Sequence, residues 1–142
     1  TVSTSGGSDT LSLSVSCSFG AKTGSATANE FDDASLARAV RQAEELARLS
    51  PNNPEHVELV GPQTYLDPKS YFASTAGLTQ EDRVRSAAAS IKICRDQKLT
   101  AAGYLSDAAG FTAVANSRGL FGYQRNTEVD FTITARTEDG RG

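Results

Sequence analysis

Any catalytic or metal centre in this chain must be built from very few residues, since the 142 positions hold one histidine and two cysteines. His56 stands in Pro54-Glu55-His56-Val57-Glu58, where Glu55, His56 and Glu58 are donor types that zinc accepts. Zinc needs three or four such ligands around one point, and no H-E-x-x-H pattern is present. The segment therefore reads as a surface loop. A Ser-His-Asp triad would need the same histidine, and no serine sits in a G-x-S-x-G elbow. Cys17 and Cys94 fall on the apolar faces of a predicted strand and a predicted helix. There they read as free, packed thiols, which suits a reducing cytosol. Gly103, Gly110, Gly119 and Gly122 lack the spacing of a phosphate-binding loop. The pairs Asp32-Asp33 and Glu81-Asp82 open predicted helices, where capping and the helix dipole account for them. No catalytic, metal-ligating or cofactor-binding residue is nominated. The one site singled out is structural: the turn Asn116-Ser117-Arg118-Gly119, in which Asn116, Ser117 and Gly119 suit a tight reversal and Asn and Gly tolerate positive φ.

Composition narrows the class of partner. The net charge is −3 with both signs interspersed, so no basic stripe exists to neutralise phosphates, and no nucleic-acid partner is expected. No apolar run approaches the ~18–20 residues that span a bilayer, and no leader-like segment opens the chain, so no membrane partner and a cytoplasmic location are expected. The length suits one domain over 1–142. With no Met or Trp and much Ala, the expected core is thin, filled by Leu, Val, Ile and Phe with Ala at close contacts. The opening TVSTSGGSDT and closing TEDGRG read as loops, and the chain is expected to be a piece of a longer polypeptide.

The elements that would carry these residues follow from periodicity. Leu11, Leu13, Val15, Cys17 and Phe19 alternate with Ser12, Ser14, Ser16 and Ser18, which predicts a half-buried strand with a serine face. A turn over Gly20–Gly24 and a short strand over Ser25–Asn29 follow. Asp32 or Asp33 caps a helix whose apolar stripe is Leu36, Ala39, Val40, Ala43, Leu46 and Ala47. Residues 51–77 read as a long irregular loop interrupted by Pro54, Pro62 and Pro68 and pinned by Tyr65, Tyr71 and Phe72. Thr79-Gln80-Glu81-Asp82 resembles a capping box for a second helix ending near Gln97, with Val84, Ala88, Ile91 and Cys94 inward and Arg83 solvated. The remainder reads as a meander of strands near 101–108, 111–116, 120–126 and 128–136. The expected fold class is α+β: two layers, a largely antiparallel sheet of about six strands packed against two helices. The helix faces should cover Leu13, Val15, Phe131 and Ile133, so that Ile133→Asp would bury an unpaired carboxylate at a cost of several kcal/mol.

In this order and spacing the residues resemble the N-terminal domain of the TldD/PmbA family, described as modulators of DNA gyrase and as predicted zinc-dependent peptidases. The likeness rests on Thr1-Val-Ser-Thr-Ser-Gly6, Ser18-Phe-Gly-Ala-Lys-Thr-Gly-Ser-Ala26, the helix Leu36–Ser50 and Gly61-Pro-Gln-Thr-Tyr65. Above all it rests on Ala113-Val-Ala-Asn-Ser-Arg-Gly-Leu-Phe121 with Thr127. The Gly61–Tyr65 linker looks more like the PmbA branch. The resemblance implies a cytosolic peptidase acting on extended peptides and working as a homo- or heterodimer. The family's H-E-x-x-x-H metal motif is not in these residues, so zinc belongs to the longer parent and no cofactor to this chain. The expected role is a non-catalytic domain, inactive alone, that packs on its own C-terminal domain and helps enclose a peptide. The alternative is an assembly domain of an inactive partner subunit.

Overall fold

The computed structural model describes residues 4–140. Its elements run β1 (Leu13–Phe19), β2 (Lys22–Ala28), α1 (Asp33–Leu49), α2 (Ala73–Ala76), α3 (Gln80–Asp96), β3 (Thr100–Ala115) and β4 (Phe121–Arg136). The class is α+β with antiparallel pairing, but the single sheet of about six strands is corrected. Four described strands form two separate two-stranded sheets, β1-β2 and β3-β4, with three helices. The miscount has a local cause. Residues 109–110 and Thr127 read as breaks, yet in the β3-β4 ladder Gly110 lies opposite Asn126 and Ala109 opposite Thr127. Interruptions that face one another in register leave the ladder continuous, so four short strands become two long ones.

The described chain divides into two compact units, one formed by Gly6–Leu59 and the other by residues 60–140 with the first described residues. In the Gly6–Leu59 unit, the β1-β2 hairpin lies on α1. Register places Val15 opposite Ala26, Cys17 opposite Gly24, and Ser16 opposite Ser25. Alternation therefore puts every strand hydroxyl on the far face, where Ser16 and Ser25 bond each other at 2.7 Å and Ser18 and Thr23 at 3.3 Å.

The contact with α1 uses small residues. Ala39, Ala43 and Ala47 of α1 and Ala26 of β2 are buried, together with Ser35 one turn earlier, whereas Val40 and Leu46 are 41% and 42% exposed. The alanines of the expected stripe are thus its buried members, and its large residues Val40 and Leu46 flank the contact. A Cβ placed on Gly24 would lie 2.2 Å from the Ala47 nitrogen and 2.5 Å from the Ala43 oxygen. Strand and helix thus meet backbone to backbone, and only glycine opposite alanine allows that approach.

In the other unit, α2 and α3 lie against the β3-β4 hairpin. Alternation gives the hairpin an apolar face carrying Leu105, Phe111, Tyr123, Phe131 and Ile133 and a polar face carrying Ser106, Thr112, Gln124, Asp130 and Thr132. On the polar face Tyr104 donates to Asp130 at 2.6 Å. The inward stripe of α3 is rotated from the expected one: Ala87, Ile91 and buried Cys94 face in, and Arg83 turns inward to pair with Asp107 of β3 at 2.7 Å. Phe131 and Ile133 remain 47% and 38% exposed, so their expected burial is corrected and Ile133→Asp loses most of its desolvation cost. Cys17 is half-buried, and both cysteines are free. No helix among the described residues is long and apolar enough to cross a membrane.

Both long helices are capped by aspartates. Asp32 accepts from the Ser35 amide at 3.0 Å, and Thr79 with Asp82 closes a reciprocal capping box. The α3 C-terminus closes as a Schellman turn on Lys98 at φ 57°, with Lys98 N–H donating to Arg95 and Leu99 N–H to Cys94.

Two outcomes are expected. Gly24→Ala destabilises the chain by about 1–3 kcal/mol through overpacking, read from chemical denaturation. Gly7→Ala, where a Cβ meets nothing within 4 Å, stays within about 0.5 kcal/mol of the parent. The second concerns pH. Hydrogen bonds from Ser35 hold the Asp32 carboxyl below its ordinary range, and those from Thr79, helped by Arg85 and Arg83, do the same for Asp82. A carboxylate whose pKa is lowered by folding contributes stability above its unfolded pKa and loses it as pH falls through the folded value. Thr79→Ala should therefore raise the Asp82 pKa in a carboxylate NMR titration and flatten the acid side of the stability profile.

Candidate functional site

Among the described residues, the His, Cys and carboxylate side chains are not gathered into a metal centre. Among the described residues, no group of three His, Cys, Asp or Glu side chains is placed to hold a metal ion. His56 is half-buried in a turn where its amide donates to the Asn53 carbonyl at 3.1 Å, and the Glu55 amide donates to the Asn53 side chain at 2.9 Å. Among the described residues the donor set does not fit zinc.

What the structure does build is an organised hairpin with a strap along one edge. Asn116, Ser117 and Gly119 stand in the β3-β4 turn. Asn116 organises it: its side-chain oxygen accepts from the amides of Arg118 at 3.0 Å and Leu120 at 3.1 Å, and its amide nitrogen donates to the Val60 carbonyl at 2.9 Å. Gly119 takes φ 84°, the left-handed conformation the reversal needs, and its amide donates to the Asn116 carbonyl at 3.2 Å.

From Val60 the chain runs back along β4. Pro62 lies by Gly119, and the Tyr65 ring would stand 3.4 Å from a Cβ on Gly122, on the polar face. Lys69 adopts φ 48°, steadied by its amide donating to Asp67 at 3.1 Å, and turns the chain into the edge. Ser70 then behaves as a strand residue. Its carbonyl accepts from the Thr127 amide at 2.9 Å, and its hydroxyl donates to the Arg125 carbonyl at 2.8 Å. Gln124 donates to the same hydroxyl at 3.0 Å, and the Phe72 amide donates to the Thr127 hydroxyl at 3.1 Å. The Arg125 guanidinium stacks 3.6 Å over the Tyr71 ring, on the apolar face. The strap therefore straddles β4, with Tyr65 on one face and Tyr71 on the other. The sequence marked these aromatics as pins; Ser70 carried no signal, because a lone serine between Lys and Tyr is indistinguishable from any loop serine.

The long hairpin with its leading helix is the part that a known family matches. Residues 78–142 match the family described as the PmbA/TldA metallopeptidase central domain. The search of curated proteins finds no match. Among solved structures, the crystal structure of TldE from Thermococcus kodakarensis superposes with a TM-score of 0.67 at 19% identity, over 83% of this chain and 31% of that one. At that identity the superposition speaks for the fold. Residues 78–142 are thus similar to that family's central domain, and the chain spans about a third of the solved relative's length.

Asn116→Ala removes two accepted bonds and one donated bond from the turn and should cost about 1–3 kcal/mol. Asn116→Asp keeps the acceptor and loses only the bond to Val60, so urea denaturation should place it between the parent and the alanine variant.

Proposed function

We propose that this chain is a non-catalytic portion of a TldD/PmbA-type metallopeptidase that helps enclose extended peptide substrates and supports assembly of a dimer in the cytosol. The observation that carries the reading is the family match over residues 78–142, borne by a region that offers long strands and an exposed apolar face. In this reading the chain is the N-terminal portion of its parent, with Gly6–Leu59 leading and the matched region following. The C-terminal remainder of the parent supplies zinc and bond cleavage.

Two features support the enclosing role. A sheet edge can hold an extended peptide through main-chain hydrogen bonds, independent of its sequence. The apolar face, with Phe111 and Tyr123 stacked at 5.7 Å between ring centroids, offers a surface for unfolded segments or for neighbouring parts of the parent. The alternative, an assembly domain of an inactive partner subunit, draws on the same face and requires no substrate.

The two readings separate in one pair of measurements. The isolated chain should hold no stoichiometric zinc by elemental analysis and cleave no unstructured peptide. The full-length parent should bind zinc, and chelation should abolish its cleavage of the same peptide. A full-length parent that neither binds zinc nor cleaves peptide supports the partner-subunit reading, and stoichiometric zinc in the isolated chain would overturn both.

A further inference from the structure

Ser70 defines which backbone groups of β4 face outward. The Arg125 carbonyl and the Thr127 amide both point away from β3 and both are taken by the strap. Alternation then puts the outward groups on the odd-numbered residues, so those of Val129, Phe131, Ile133 and Ala135 continue the same edge. Among the described residues they have no backbone partner outside their own ladder. The strap covers half of the β4 edge and ends at Thr127; the other half has no strand partner among the described residues.

That open half is complementary to itself. A two-fold axis perpendicular to the sheet at Thr132 would pair β4 antiparallel with β4 of a second copy, keeping apolar face with apolar face. In that register Phe131 lies opposite Ile133, Val129 opposite Ala135, and Asp130 opposite Thr134. Glu128 lies opposite Arg136, and because the axis is two-fold this ion pair occurs twice. Neither Glu128 nor Arg136 has an ion-pair partner in its own chain among the described residues. The second strand would end beside Thr127, where the strap begins. The β3 edge offers no such match: its one charged residue, Asp107, is already bound to Arg83.

We propose that residues 128–136 of β4 are a homotypic strand-pairing interface, joining two copies of this chain across Thr132, with the 60–72 strap setting where the pairing stops. The proposal gives a register to the assembly part of the function proposed above. It is independent of the peptidase reading, whose zinc and cleavage measurements would be unchanged by its failure.

Sedimentation of the chain over a range of concentrations tests it. The parent should form a reversible dimer. Arg136→Glu and Glu128→Arg should each weaken that dimer at least tenfold, since each change places two like-charge pairs in the interface. The double variant Glu128→Arg/Arg136→Glu should restore it. Both side chains are exposed, so the fold should survive, as far-UV circular dichroism would verify. Amide exchange gives a second reading: protection at Val129, Phe131 and Ile133 should rise with protein concentration. A parent that stays monomeric, a dimer indifferent to either single change, a double variant that fails to recover, or concentration-independent protection at those amides would each overturn the proposal.

Discussion

A two-stranded sheet has no interior strand, so each strand presents one row of backbone donors and acceptors to whatever lies beyond it. That constraint governs the β3-β4 hairpin. Its strands pair along their whole length with each other and leave two long edges to be satisfied by other means. The chain meets part of the demand itself, by folding residues 60–72 against β4 and using Ser70 as a surrogate strand residue. The strained φ of Lys69 is the local cost of reaching that position, offset by the bonds and the cation–π contact that follow it.

The Gly6–Leu59 unit solves a different problem with different means. Its hairpin has only seven residues per strand and carries hydroxyls on one whole face. It gains stability by proximity: Gly24 over Ala43 and Ala47 brings strand and helix backbones together, and many close atomic contacts replace the burial of large side chains. Across the described residues the buried apolar set is correspondingly small, made of four alanines and Cys94, and no large side chain is fully buried. Large apolar groups are displaced to the flanks and to the hairpin's apolar face.

The chain shares its fold with a solved structure at 19% identity. A turn organised by Asn116 and Gly119, a capped helix before it and two long strands are local solutions a chain can retain while most side chains change. This accounts for a shared fold at 19% identity.

Local chemistry was readable from the residues alone. Asp32 as a cap, Thr79-Asp82 as a capping box, the serine face of β1 and the turn at Asn116–Gly119 each depend on neighbours a few positions away. The α+β class followed from the same local periodicities. The rest was decided by tertiary structure because it depends on residues that meet only after folding. Gly110 reads as a break until Asn126 is placed opposite it. Arg83 reads as solvated until Asp107 arrives from the next strand. Which residues of α1 face inward is set by how closely β2 can approach, and periodicity alone cannot tell an alanine stripe from the leucines and valines beside it. Ser70 acquires its role only when the edge of β4, more than fifty residues away, comes to lie against it.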